Sequence, residues 1–194
     1  MQTVPLEAPP RRLLGVLFLG TFLGALDIAV VGPALPALAE AFSLDARAVA
    51  WTFTAFVLAN LAGLPIMAAR ADRIGRRTGY LTDSAIFAAG TTVVVFAPSF
   101  EVLLAGRVIQ GLGTSGIFPV ASAVIGDVYP PESRGRAGWL LGAVFGAAFL
   151  VGPAMGGIVL AFASWRWLFA ISLPLAALVF VRSVRALPRS ESVA

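Results

Sequence analysis

The 194-residue chain is 59% hydrophobic and only 12% charged, with a formal charge of +4 and neither cysteine nor histidine. A soluble domain has too little interior for that much apolar surface, so an integral membrane protein is the expected class. The missing residue types exclude disulfides, thiol catalysis, Cys/His zinc sites and histidine proton relays, and the 14 basic residues, all arginine, are scattered between apolar runs and make no nucleic-acid face.

A helix needs about 20 apolar residues to cross the hydrocarbon core. In chain order, six stretches meet that length: 13–35, 49–69, 79–98, 102–124, 137–161 and 167–184. The first follows Arg11 and Arg12 and has the outline of a signal peptide. Its apolar stretch runs on past Asp27 with no small-residue cleavage site, however, so it is expected to be retained. The expected organisation is a cytoplasmic segment 1–12, an all-α six-span bundle 13–184 and a cytoplasmic tail 185–194. Orientation follows from the arginines. One side collects Arg11, Arg12, Arg70, Arg73, Arg76, Arg77, Arg134, Arg136, Arg182, Arg185 and Arg189, and the other only Arg47 and Arg166. Both termini are therefore expected in the cytoplasm, and Trp51, Trp139, Trp165 and Trp167 near span ends read as interfacial aromatics.

Asp27 is the sharpest single residue. It lies well inside the first span, where a carboxylate is costly and so faces a polar cavity or a partner. It is a candidate to take up and release a proton. Arg107 is the one arginine inside a span. At about 1.5 Å per residue, Asp27 lies roughly 9 to 12 Å and Arg107 roughly 8 to 9 Å below the outer ends of their spans. Opposite charges at one depth should seek each other or share a cavity, and both are expected to line the central cavity. Gln110 and Thr114 share the helix face of Arg107; with Asn60 they are the cavity-lining candidates. Asp83, near the cytoplasmic end of the third span, is expected to reach water. In the fifth span, the small-residue spacings Gly142/Gly146 and Gly152/Gly156 allow close helix approach, expected against the second span or a facing half, and Pro153 permits a bend.

Several of these stretches resemble one family. Residues 69–77 read Ala-Arg-Ala-Asp-Arg-Ile-Gly-Arg-Arg, a charged knot between two apolar runs. Asp72, Arg73, Gly75, Arg76 and Arg77 match the signature loop of the major facilitator superfamily, with Ala68 in place of its leading glycine. The run from Leu26 to Pro36 resembles the first-span motif of drug–proton antiporters. Arg107, Gln110, Gly111 and Gly113 resemble the family's Arg-x-x-Gln-Gly-x-Gly motif, and Gly152, Pro153, Gly156 and Gly157 resemble the antiporter motif of its fifth span. Residues 164–169, just before the sixth span, are again similar to the family.

The resemblance implies an amino-terminal six-helix half of that fold. It implies proton coupling through the arginine of the span-four motif, and a cytoplasmic latch of Asp72, Arg76 and Asp127, the last at the end of span four. Arg73 and Arg77 read equally well as plain positive-inside charges. The implied function is a secondary transporter of the inner membrane, a proton-coupled exporter of lipophilic or cationic small molecules. Uptake or exchange of a metabolite and a non-transporting six-span partner are the rivals. No catalytic set, metal site or cofactor is expected, a proton gradient being the energy source. The expected partners are lipid, a small-molecule substrate and a second six-span half, as a homodimer or a separate chain.

Overall fold

The computed structural model describes residues 11–187. The expected segment 1–12 and tail 185–194 lie outside the described residues apart from Arg11, Arg12 and 185–187. Among the described residues the structure is helical throughout, with α1 (Arg11–Ala29), α2 (Val31–Phe42), α3 (Ala46–Val49), α4 (Trp51–Ile74), α5 (Arg76–Val95), α6 (Phe100–Val128), α7 (Pro131–Phe162), α8 (Arg166–Ala170) and α9 (Ser172–Ala186). These helices form six rods, because α1/α2, α3/α4 and α8/α9 each make one rod with a break. The first break is at Val30, whose N–H still reaches the Leu26 carbonyl. Pro33 has no N–H to offer the Ala29 carbonyl one turn back, which loosens the helix there.

Five helical stretches are long and apolar enough to cross a membrane, beginning at Arg12, Ala46, Phe100, Pro131 and Arg166. The remaining rod, α5, fills the place of the third expected span but is more polar. Its Asp83, Ser84 and Thr91 are buried in the protein, so the surface it offers to surroundings does not carry them. Such polar groups are tolerable at membrane depth when they face protein and not lipid.

The charged knot departs most from the sequence expectation. It is not a loop. Asp72 and Arg73 belong to the last turn of α4, Arg76 and Arg77 to the first turn of α5, and the connection is the single residue Gly75. Its φ of 86° lies where a side chain would be strained, so glycine alone makes this corner without cost. The expectation for the tryptophans is also corrected in one case. Trp51, Trp139 and Trp167 are exposed, but Trp165 is 4% exposed and packs on Phe42 and Phe169, with the Arg166 guanidinium 4.4 Å from its ring centre.

Lipid tails are as apolar as leucine, so helices in a membrane associate by close packing and buried polar contacts more than by hydrophobic gain. Helix α6 meets that demand with glycines. A Cβ at Gly106 would lie 2.9 Å from the Val94 backbone nitrogen on α5, and one at Gly90 of α5 would lie 2.5 Å from the Gln110 nitrogen. On another side of α6, Gly111 faces the backbone of Phe56 and Asn60 on α4. Helix α6 is thus held between α4 and α5 at backbone distance. Helices α4 and α7 are the reverse case, burying 22% and 17% of their apolar stretches against 61% for α1 and α6.

The same arrangement sorts the charges by end. The α4/α5 corner meets the end of α6 through Arg76 and Asp127, and Arg77 donates to the Val184 carbonyl of α9 at 2.5 Å. At the opposite end, Arg166 donates to the Ala97 carbonyl at 2.9 Å. Replacing Gly90 by Leu should therefore destabilise the bundle by roughly 1–3 kcal/mol through overpacking, while Gly146→Leu, at a position with no atom within 4 Å of the added Cβ, should be near neutral. Thermal unfolding of the two variants in detergent checks this.

Candidate functional site

Asp27 and Arg107 come together. Asp27 lies near the end of α1, three residues before the Val30 break, and Arg107 lies two turns into α6. Both side chains are 0% exposed. Arg107 Nη1 donates to Asp27 Oδ2 at 2.5 Å and to Gln110 Oε1 at 2.8 Å, and Arg107 Nε donates to the Thr52 carbonyl in the first turn of α4 at 3.1 Å. Gln110, one turn along α6, bridges the pair from the other side. Its Nε2 donates to Asp27 Oδ1 at 3.1 Å and to Thr91 Oγ1 of α5 at 2.9 Å. The guanidinium lies over Phe56 of α4, 4.3 Å from the ring centre, and 5.6 Å from that of Phe169 on α8. Four helices thus supply one polar network, and α8 adds an aromatic ring beside it.

The electrostatics follow from burial. Two charges removed from water must be compensated by each other and by further hydrogen bonds, or the pair costs more than it returns. Here the carboxylate has both oxygens occupied, and the cation has two of its nitrogens engaged and an aromatic face beneath it. Arg107 Nη2 and Thr52 Oγ1 are buried without a partner among the described residues. The network is therefore tight around the carboxylate and under-satisfied on the far side of the guanidinium.

The pair does not line the cavity that the bundle holds. A cavity of about 440 Å³ opens between α1, α4, α6 and α7. Asn60, Thr114 and Phe145 are on its wall, with Thr21 and Ser115, whereas Asp27, Arg107 and Gln110 are not. The reason is helical phase: Ala25 and Ile28 of α1 face the cavity, and Asp27 between them points at Arg107 and Gln110 of α6. The two regions still touch. Thr114, one turn beyond Gln110, donates its hydroxyl to the Gln110 carbonyl at 2.6 Å, and Asn60 Nδ2 donates to the Gly111 carbonyl at 3.3 Å.

The latch residues divide. Arg76 Nη1 pairs with Asp127 Oδ2, joining the start of α5 to the end of α6. Asp72 is exposed and makes no hydrogen bond or ion pair among the described residues, and Arg73 is exposed as well. The arginine that reaches a carboxylate from α4 is Arg70, which sequence reasoning left among the positive-inside charges. It donates Nη2 to Asp83 Oδ1 and to Thr82 Oγ1, both at 2.5 Å. Asp83 is 0% exposed, which corrects the expectation that it reaches water. Residues 70 and 83 flank the Gly75 corner on neighbouring helices, and the long arginine side chain spans that gap to the buried carboxylate; the sequence signal was an acid and a base near one helix hairpin.

The glycines of α7 also find a different partner. Gly152 and Gly156 pack on the first rod and not on the second: a Cβ at Gly156 would lie 2.5 Å from Pro33 Cβ, and one at Gly152 would strike Ala29. They seat α7 on both sides of the Val30 break. Pro153 and Gly157 are exposed, and Gly142 lines the cavity.

A helical membrane bundle with a buried ion pair beside an apolar cavity defines a multi-pass membrane protein built around an internal polar site. The model of the Major Facilitator Superfamily matches residues 17–194. The MFS-type transporter YfiU of Bacillus subtilis is 37% identical over 164 residues, covering 84% of this chain and 32% of the relative. Multidrug resistance protein 3 of Bacillus subtilis is 35% identical, covering 84% of this chain and 31% of that protein. The efflux pump dotC of Dothistroma septosporum is 35% identical, covering 90% of this chain and 31% of its own length. Among solved structures, the human organic anion transporter MFSD10 superposes with a TM-score of 0.78 at 23% identity, over 94% of this chain and 48% of that one. The chain belongs to the major facilitator superfamily. It spans about a third of the length of these curated relatives.

Removing one member of the pair leaves an uncompensated buried charge, so Arg107→Leu should cost roughly 3–5 kcal/mol. Asp27→Leu combined with Arg107→Leu should recover most of that loss, as thermal unfolding of the single and double variants in detergent will show.

Proposed function

We propose that the chain is one six-span half of a proton-coupled exporter that moves lipophilic or cationic small molecules across the inner membrane by alternating access. The observation that carries this reading is the Asp27–Arg107–Gln110 network, fully buried and one helix face behind an apolar cavity. Asp27 is the proton carrier. Arg107 and Gln110 hold the carboxylate when the network is closed, and a proton on it frees the guanidinium and the Gln110 amide. The relatives named for efflux and multidrug resistance support export. The cavity lining offers Asn60, Thr21, Thr114 and Ser115 as polar groups and no charged side chain, which favours the lipophilic end of the substrate range.

The arginine-rich end faces the cytoplasm, by the bias of arginine towards that side. The exposed apolar faces of α4 and α7, on either side of the cavity, are where a second six-span half would close it, from a second copy or a separate chain. Arg76 with Asp127 ties α5 to α6 at the cytoplasmic end and steadies one conformer. Asp72 sits beside that tie without joining it in this conformer.

Asp27→Asn keeps one acceptor, for Arg107, loses the one that Gln110 Nε2 uses, and has no titratable proton. In inverted vesicles carrying the full chain, it should abolish accumulation of a lipophilic dye driven by a pH gradient, with the protein still inserted and monodisperse. Undiminished gradient-driven accumulation in the Asn variant would sink the proposed role.

A further inference from the structure

A second and larger cavity, about 710 Å³, lies between α1 and α9 at the arginine-rich end, away from the central cavity. Three arginines form its rim: Arg12 from the first turn of α1, and Arg182 and Arg185 from the end of α9. Arg182 and Arg185 are three residues apart and so share one helix face. The floor is apolar, made by Val16 of α1 with Leu178 and Val181 of α9. Gly15 keeps it open, with nothing within 4 Å of where its Cβ would be. Among the described residues the lining contains no carboxylate, and none of the three guanidinium groups has an ion-pair or hydrogen-bond partner.

We propose that this groove binds an anionic phospholipid, its phosphate held by Arg12, Arg182 and Arg185 and its acyl chain laid along Val16, Leu178 and Val181. Three like charges around one hollow repel each other until an anion enters. Guanidinium forks suit phosphate oxygens because they donate in pairs. The apolar floor decides the source of that phosphate. A free phosphate would satisfy the rim and leave the floor uncovered, whereas a lipid satisfies both at the level where headgroups meet hydrocarbon. Basic grooves between membrane helices on the side rich in arginine are suited to anionic headgroups. The site is independent of the proposed transport reading: it needs only the membrane location.

The test is native mass spectrometry of the full chain in a nonionic detergent, titrated with phosphatidylglycerol, with phosphatidylcholine, and with phosphatidylglycerol in the presence of inorganic phosphate. The parent should retain phosphatidylglycerol preferentially. Each Arg→Gln change at 12, 182 or 185 should weaken that retention about fivefold, with an unchanged thermal unfolding profile. Arg134→Gln with Arg136→Gln, at the same end but outside the groove, should leave it unaltered. Equal retention of both lipids would overturn the proposal, as would equal losses in the groove and control variants. Displacement of phosphatidylglycerol by inorganic phosphate would mark a free-anion site and overturn the lipid assignment.

Discussion

The structure depends on holding Asp27 against Arg107 where no water reaches either. Neither charge is tolerable alone at that depth. Compensation requires four other groups to arrive together: the Thr52 carbonyl, the Gln110 amide, the Thr91 hydroxyl and the Phe56 ring. They come from α4, α5 and α6, so these helices must approach at backbone distance. Gly90, Gly106 and Gly111 permit that approach around Arg107 and Gln110 themselves. The glycine packing of α6 and the ion pair are therefore one constraint seen from two sides.

The pair is joined to the cavity by helix phase, beside the Val30 break of the first rod. Residues 25 and 28 of α1 face the cavity while Asp27 faces the pair, so rotation or bending of α1 moves both at once. The Val30 break directly follows, and Gly152 and Gly156 of α7 grip the chain on either side of it, at Ala29 and Pro33. In the proposed cycle, protonating Asp27 weakens its hold on α6, and the small-residue contact with α7 lets α1 respond without prising helices apart. Gln110 and Thr114, one turn apart on α6, provide the second link.

Much of this was legible in the sequence. Hydropathy located the rods, and the depths of residues 27 and 107 were enough to pair them, because an isolated charge in hydrocarbon has few alternatives. Periodicity was too weak to give the phase of α1, so the side of the helix on which Asp27 lies, and hence its separation from the cavity wall, was not readable. The charged stretch 69–77 read as loop because its charges belong in water; Gly75 alone sufficed for the corner, and the flanking charges remained helical. Asp83 read as interfacial because its partner, Arg70, was one of many arginines at that end and only the hairpin geometry singles it out. The seat of α7 on the first rod was beyond reach, since glycine spacing says that a helix approaches closely without saying which one.

In the proposed cycle Asp27 exchanges a proton as the cavity fills. This exchange is tested most directly by measuring proton release when a lipophilic substrate is added to the purified full chain in weakly buffered detergent. The parent should release protons, Asp27→Asn should release none, and Glu132→Gln, an exposed carboxylate in the first turn of α7, should release as the parent does. Release of the same size from the Asp27→Asn variant would contradict the exchange.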